Sequence, residues 1–314
     1  SVVILALGLV ARVGVHAGYP SAHFGWLVWP VVIGVHYWIL RNGESRLGSA
    51  TPLVHGATLW ILTILVGWEA AGRVNDAVAG SSVWGLVAWA VIPAIVLGSL
   101  PRLTREDRWP FGAVRDGYLL VGGLPIAIFL GVWAFFANLG SSGSAAPIPY
   151  VPFLNPLDLA LGASAVAVLV WLRGLEEAGL STLRGRRPDV FWGCVAAIGF
   201  VVANAILTRT LHHWGGIPFT ANAMMHSKIA QSAFSIFWTV LALGATVLAT
   251  RWSSRMVYSR VVWMTGAGLL AVVVAKLFIV DLSGGVERVV SFIVVGLLML
   301  AIGYLAPLPP KARS

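Results

Sequence analysis

Long runs of apolar residues, separated by short segments that hold most of the polar residues, repeat along the whole chain of 314 residues. About 20 apolar residues allow a helix to cross the hydrocarbon core of a membrane, and most of the runs approach that length. They lack the period-two alternation of membrane-spanning strands, and a helix satisfies its own backbone hydrogen bonds in lipid. The pattern therefore predicts about ten spanning helices, at residues 1–17, 24–40, 52–69, 82–100, 117–138, 157–175, 190–208, 228–250, 257–280 and 288–306.

The composition indicates the same class of protein. Hydrophobic residues make up 58% of the chain and charged residues 11%, whereas an ordinary soluble domain carries about 25% charged residues. This excludes a water-soluble globule, a disordered chain and a secreted disulfide scaffold. We predict an all-α, polytopic transmembrane helix bundle in which residues 1–314 form a single domain. Because the chain starts inside an apolar run and without Met, we expect it to be a fragment of a longer protein.

The positive charges predict an orientation in the membrane. Fifteen of the 21 Lys and Arg residues fall on one side when successive loops are assigned alternately to the two sides. Positive loops stay in the cytoplasm, so this side is predicted to be cytoplasmic, together with the C-terminus. The loop 138–156 has no Lys or Arg and is predicted to be extracytoplasmic. Orientation also accounts for the net charge of +9 without a nucleic-acid partner.

Cysteine and histidine give little reason to expect a metal or a cofactor. The single cysteine, Cys194, excludes an internal disulfide and a thiolate cluster. His212, His213 and His226 lie near the predicted outer side, but adjacent histidines rarely point at one metal ion. We therefore predict no metal and no cofactor. Two interpretations remain for the histidines: they transfer protons, or they lie at the membrane interface with their hydrogen bonds satisfied.

Polar residues are densest between Arg209 and Ser235, on the predicted outer side. Lys228, Gln231 and Ser235 follow steps of three and four residues, so they form one stripe on an otherwise apolar helix. Arginine binds phosphate or carboxylate through two parallel hydrogen bonds, and lysine adds a mobile charge. An anion-binding pocket is therefore one interpretation. The alternative is that the polar groups hydrogen-bond between helices and bind nothing else.

Two further groups of charged residues lie on the predicted outer side. Asn155, Pro156 and Asp158 have the pattern of a helix start, with Asn as the N-cap and Asp near the positive end of the helix dipole. Lys276 and Asp281 end one predicted span, and Glu287 and Arg288 open the next. Pairing across this hairpin is one interpretation of the four charges, and a substrate or ion path is the other.

Several motifs resemble a known family. They are Tyr150–Leu159, Gln231–Trp238, Ala275–Ser283 and Glu287–Tyr304, and they are spread over the second half to two thirds of the chain. Together they resemble domain-of-unknown-function family 2339, which comprises predicted bacterial membrane proteins. Members of this family are generally longer and often have an N-terminal coiled-coil region, so the resemblance implies a C-terminal portion. It also implies the bacterial inner membrane, and it implies no particular chemistry. The matching polar positions are Asp158, Arg209, Gln231, Lys276, Asp281 and Arg288.

Three functional hypotheses follow. The first is recognition, with or without modification, of an anionic lipid or lipid-linked glycan in an extracytoplasmic pocket; whether the protein is an enzyme is left open. The second is a transporter, and the third is a non-catalytic membrane scaffold. Membrane lipids are the expected partners, with other membrane subunits as an open alternative. The candidate ligand-binding residues are Arg209, His212, His213, Lys228, Gln231, Ser235, Lys276, Asp281, Arg288 and Asp158.

Overall fold

The structure is a computed structural model that describes residues 18–78, 83–106, 108–181, 188–251, 259–279 and 286–305, together with positions 2, 5 and 8. The chain divides into two compact units, residues 1–188 and 189–314. The long elements in the described parts are helices, which confirms the predicted all-α class. Most of the predicted first helix, 1–17, lies outside the described residues.

From residue 18 onwards, the described part of the first unit has five long helices. These are α1 (Gly25–Leu47), α2 (Thr51–Ala77), α3 (Trp84–Leu103), α4 (Gly123–Gly140) and α5 (Pro156–Glu177). Helix α3 packs against both α2 and α5. Leu97 and Leu100 of α3 lie in the core with Leu130 of α4 and Leu157 of α5, and all four side chains are buried. A π-helical turn, Gly117–Gly122, leads directly into α4.

Helices α1 and α2 form an antiparallel hairpin. The chain reverses at Gly48, whose φ of 53° lies in the left-handed region that favours glycine. His36 Nε2 lies 2.9 Å from Thr58 Oγ1 near the middle of the hairpin. At its open end, Ser21 donates hydrogen bonds to both carboxylate oxygens of Glu69. These contacts fix the register of the two helices.

The second unit is built around one central helix. Its elements are α6 (Pro188–Gly215), the short helix α7 (Ala221–His226), α8 (Lys228–Arg251), α9 (Ser259–Ile279) and α10 (Val286–Leu305). Helix α8 packs against both α9 and α10. Val273 of α9 and Val295 of α10 are buried together, with Trp238 of α8 packed against them.

Seven segments of the described chain are long and apolar enough to cross a membrane. The first of them, Gly25–Ala77, contains both α1 and α2. The predicted number of about ten spans is therefore not confirmed. Many large apolar side chains on these segments are exposed, as expected for helices that face lipid.

Candidate functional site

Three of the predicted polar residues of the second unit come together between α8 and α9. Lys276 of α9 donates from Nζ to the Gln231 carbonyl at 2.9 Å and to Ser235 Oγ at 2.7 Å. Ser235 is fully buried, and its hydroxyl donates to the Gln231 carbonyl one turn earlier at 3.0 Å. The Gln231 side chain donates from Nε2 to the Met224 carbonyl of α7 at 3.0 Å. The polar stripe of α8 is thus tied to both neighbouring elements.

Arg209 lies at the same depth as this group. Trp238 Nε1 of α8 donates to Asn204 Oδ1 of α6 at 2.7 Å, and the two helices run antiparallel because residues 216–227 join their ends. Arg209 lies five residues beyond Asn204, or about 7.5 Å along α6. On α8, Ser235 lies three residues before Trp238, or about 4.5 Å in the same direction. Arg209 is fully buried, which is unusual for a charged side chain.

Helix α6 continues for seven residues past its predicted end at 208. It ends next to Gly216, whose φ of 66° breaks the helical path. The connection then folds back over the helix ends, where Ile217, Met224 and Ala230 are buried against one another. Arg209, His212 and His213 therefore lie within α6, although the polar residues of this segment predicted an earlier end of the helix.

The three outer histidines have local partners. His212 Nδ1 lies 2.8 Å from the Ile217 carbonyl, to which it donates, and its ring lies 4.7 Å from that of His213. His226 is exposed, and its Nδ1 donates to the Asn222 carbonyl of its own short helix at 2.9 Å. In the parts of the chain that the structure describes, no group of three or more His, Cys, Asp or Glu is arranged to hold a metal ion.

Two other predicted site residues, Lys228 and Asp158, lie in the described parts of the chain. Lys228 is exposed as the first residue of α8, and Asp158 belongs to the first unit. Asp158 accepts a hydrogen bond from the Phe153 amide at 3.1 Å, and Asn155 Oδ1 accepts from the Leu157 amide at 2.9 Å, so the predicted helix cap is confirmed. Asp281 and the side chain of Arg288 lie outside the described residues.

The first unit contains a buried polar cluster that was not predicted from the sequence. His55 of α2 is fully buried between two partners: its Nδ1 lies 2.9 Å from the Tyr118 hydroxyl, and its Nε2 lies 3.4 Å from Glu44 Oε1. The second carboxylate oxygen of Glu44 accepts a hydrogen bond from Trp109 Nε1 at 3.0 Å. We call Glu44, His55 and Tyr118 the inner cluster, because they lie at the predicted cytoplasmic ends of their helices.

A sequence signal for the inner cluster was present. Two histidines, His36 and His55, interrupt consecutive apolar runs on either side of Glu44. Ionisable groups inside such runs are costly in a membrane and commonly functional. The neighbouring loops are rich in Arg, and membrane orientation already explains those charges. The polar residues on the opposite side therefore gave the stronger signal for a site. The contact with Tyr118 comes from a residue 63 positions later, and helix periodicity carries no information about it.

The first unit also contains an apolar cleft of about 140 Å³ between α2, α3 and α4. Its walls include Trp60, Trp89, Pro93, Pro125 and Phe129. Because its lining residues carry no charge, this cleft is not the anion pocket that the sequence predicted.

Comparison with known proteins places the chain in a family. A family model described as "Predicted membrane protein (DUF2339)" matches residues 1–309, which extends well beyond the motifs that carried the resemblance. No curated protein and no solved structure matches the chain. The apolar helices of both units agree with the family description. The chain therefore belongs to domain-of-unknown-function family 2339, a family of predicted membrane proteins, and it is a multi-pass membrane protein.

Proposed function

We propose that the second unit recognises the anionic headgroup of a lipid or lipid-linked glycan on the extracytoplasmic side of a bacterial inner membrane. The observation that carries the proposal is the fully buried Arg209 at the depth of the Lys276 ammonium group. Ionisable groups at membrane depth commonly mark functional sites, and two cations at one depth favour an anionic ligand.

The chemistry of the group suits a phosphate. A guanidinium binds phosphate oxygens in a bidentate way, while an ammonium group acts as a point charge that adapts to its partner. The Gln231 carbonyl and the Ser235 hydroxyl supply neutral polar groups beside Lys276. The apolar packing of Ile217, Met224 and Ala230 limits water at this end, which strengthens charge–charge attraction.

The apolar residues around the group suit a ligand that is itself part of the membrane. Ile229 and Val240 of α8 are about half exposed or more, at 57% and 49%. In a bilayer such side chains contact acyl or polyprenyl chains. A lipid phosphate could then reach the cations while its chain stays in the hydrocarbon region. This supports a lipid-attached anion over a free soluble one.

Native mass spectrometry of the purified chain tests the proposal. The protein is offered phosphatidylglycerol, a polyprenyl phosphate and, as a neutral comparison, phosphatidylcholine. Arg209→Gln and Lys276→Gln are compared with wild type. Arg251→Gln and Arg260→Gln are matched controls, because each removes an exposed cation from the opposite end of α8 or α9. Arg209→Lys keeps the charge but removes the bidentate geometry.

We expect an anionic adduct on wild type and on both controls, and a tenfold or larger loss in Arg209→Gln and Lys276→Gln. Preference for phosphatidylglycerol or for the polyprenyl phosphate distinguishes a phospholipid from a glycan carrier. Equal adducts on all folded variants would reject the two cations as ligand contacts. If both Gln variants unfold, loss of the adduct in folded Arg209→Lys still supports the site, and retention argues against it.

The hydrogen bonds themselves favour a second candidate, a non-catalytic scaffold. The Trp238–Asn204 and Lys276–Ser235 contacts join three helices through polar groups, as interhelical hydrogen bonds do in membranes. On this reading Lys276→Gln lowers the free energy of unfolding by about 1 kcal/mol and changes no lipid adduct. Unfolding in mixed micelles, measured on the same samples, separates the two candidates.

A further inference from the structure

The inner cluster connects three chain segments through one imidazole ring. Glu44 comes from α1, His55 from α2 and Tyr118 from the π-helical turn before α4. His55 and Tyr118 are 0% and 1% exposed, while the Glu44 side chain is 23% exposed. The cluster therefore runs from a partly open carboxylate into the closed interior of the unit.

The Glu44 carboxylate favours one tautomer of His55, with the ring proton on Nε2. When the Tyr118 hydroxyl donates to Nδ1, the ring proton sits on Nε2, which faces Glu44 Oε1. The imidazole thus lies between a hydroxyl and a carboxylate. This order of groups permits a ring to accept a proton on one side while the carboxylate stabilises the resulting charge on the other.

The backbone around Tyr118 has an unusual conformation, and neighbouring helices hold it in place. The turn Gly117–Gly122 is π-helical, a conformation frequently found at functional sites. Two buried or half-buried indoles bind its carbonyl groups: Trp171 Nε1 donates to Leu119 at 2.8 Å and Trp60 Nε1 donates to Gly122 at 3.0 Å. Neighbouring helices therefore keep the turn in a shape that presents the Tyr118 hydroxyl to His55.

Other titratable and charged groups face the cluster from the surrounding elements. From α1, His36 interacts electrostatically with His55, and Tyr37 interacts with Tyr118. Arg115, half-buried, precedes Tyr118 by three residues. Helix α4 contributes no titratable side chain, and α3 contributes only the exposed Arg102. Helix α5, which packs on the π-helical turn through Trp171, carries Asp158, Arg173, Glu176 and Glu177. Glu44 Oε1 is the carboxylate oxygen shown in contact with His55, 3.4 Å from Nε2.

We propose that Glu44, His55 and Tyr118 form a proton-binding site at the predicted cytoplasmic edge of the first unit, independent of the anion site. A hydronium ion delivers a proton to Nδ1 and leaves as water, so that one N–H bond forms and one O–H bond breaks. The imidazolium then donates from Nε2 to Glu44 and from Nδ1 to the Tyr118 oxygen. The phenol keeps its own proton. The net charge of the site rises from −1 to 0.

Nuclear magnetic resonance of the full chain labelled with ¹⁵N-histidine tests this site. Spectra are recorded in nanodiscs between pH 8 and pH 5, and His55→Gln and His36→Gln assign the two buried rings. We expect the Nε2–H tautomer of His55 at pH 8 and its imidazolium at the acid end. Glu44→Gln should reduce the imidazolium fraction at the wild-type midpoint severalfold, whereas Glu106→Gln, an exposed carboxylate, should leave it unchanged.

Tyr118→Phe separates proton binding from a purely structural role. It removes the hydroxyl and should shift the Nδ1 resonance of His55 while proton uptake persists. A His55 ring that stays neutral from pH 8 to pH 5 in the folded wild type would overturn the proposal. So would equal protonation in folded Glu44→Gln and wild type. If Glu44→Gln does not fold, Glu44→Asp, which keeps the charge and withdraws it by one methylene, supplies the same comparison.

Discussion

At the scale of single residues, buried polar groups of this protein bind partners that lie far away in the sequence. Trp171, Trp60 and Trp133 each donate an indole N–H to a backbone carbonyl of another segment. In a membrane an unsatisfied carbonyl cannot turn to water, so such bonds are costly to lose. These three tryptophans thus fix helix positions in the interior of the first unit.

Trp171→Phe tests the value of one such bond. Phenylalanine retains most of the ring but leaves the Leu119 carbonyl of the π-helical turn without its donor. We expect the free energy of unfolding to fall by about 1–3 kcal/mol. Trp192→Phe is the control, because Trp192 is 57% exposed. Unfolding in mixed micelles, followed by circular dichroism, measures both. Equal stability of the two variants would show that the indole bond contributes nothing.

Asn155→Ala tests the helix cap that the sequence predicted. Asn155 is 1% exposed, accepts from the Leu157 amide and donates from Nδ2 to the Gly143 carbonyl at 2.6 Å. Alanine removes both bonds, and we expect a loss of about 1–3 kcal/mol in the free energy of unfolding. Asn42→Ala is the comparison, because Asn42 is exposed and donates to the carbonyl one turn earlier in its own helix α1. A loss no larger than that of Asn42→Ala would argue against the cap.

At the scale of elements, apolar periodicity predicted the described helices well and the connections poorly. The predicted 157–175 appears as Pro156–Glu177 and the predicted 228–250 as Lys228–Arg251. The extension of α6 to Gly215 and the π-helical start of α4 were not predicted. Both depend on packing against other segments, and a pattern read along one segment contains no such information.

Substitution by alanine should change the free energy of unfolding differently at two glycines, because a neighbouring element approaches one of them closely and not the other. A Cβ on Gly56 would lie 2.8 Å from Val121 Cγ1 and 3.1 Å from the Gly122 backbone nitrogen, so α2 could not pack as closely on the π-helical turn. Gly56→Ala should lower the free energy of unfolding by about 1–3 kcal/mol. Gly131 of α4 has open space at that position. Gly131→Ala should leave stability unchanged or raise it by up to about 1 kcal/mol.

The same measurement in mixed micelles compares the two glycine variants. If Gly56→Ala is as stable as Gly131→Ala, the close packing of α2 on the turn does not stabilise the protein. That result would also weaken the argument that neighbouring helices hold Tyr118 in position.

At the scale of the whole molecule, the sequence predicted a class and an orientation, while the sites depend on contacts within each unit. The all-α class follows from apolar run length alone, and the family match agrees with it. The grouping of Lys276 with Ser235 needs the pairing of α8 with α9, which sequence spacing does not contain. The stripe on α8 was predictable because Gln231 and Ser235 share one helix and its periodicity fixes their common face.

Orientation is the whole-molecule prediction on which both proposed sites depend, because it sets which side each site faces. We substitute Cys194, an exposed residue and the single cysteine of the chain, by Ser. We then introduce Ser49→Cys in the α1–α2 turn or Ser144→Cys in the loop before α5, both exposed positions. The cation distribution predicts that the turn is cytoplasmic and the loop extracytoplasmic. A membrane-impermeant maleimide should therefore label S144C in intact spheroplasts, and S49C only after permeabilisation.

The reverse pattern would invert the orientation and move the anion site to the cytoplasmic side. Labelling of both variants in intact spheroplasts would contradict complete crossings by all three of the helices between the two positions, α2, α3 and α4.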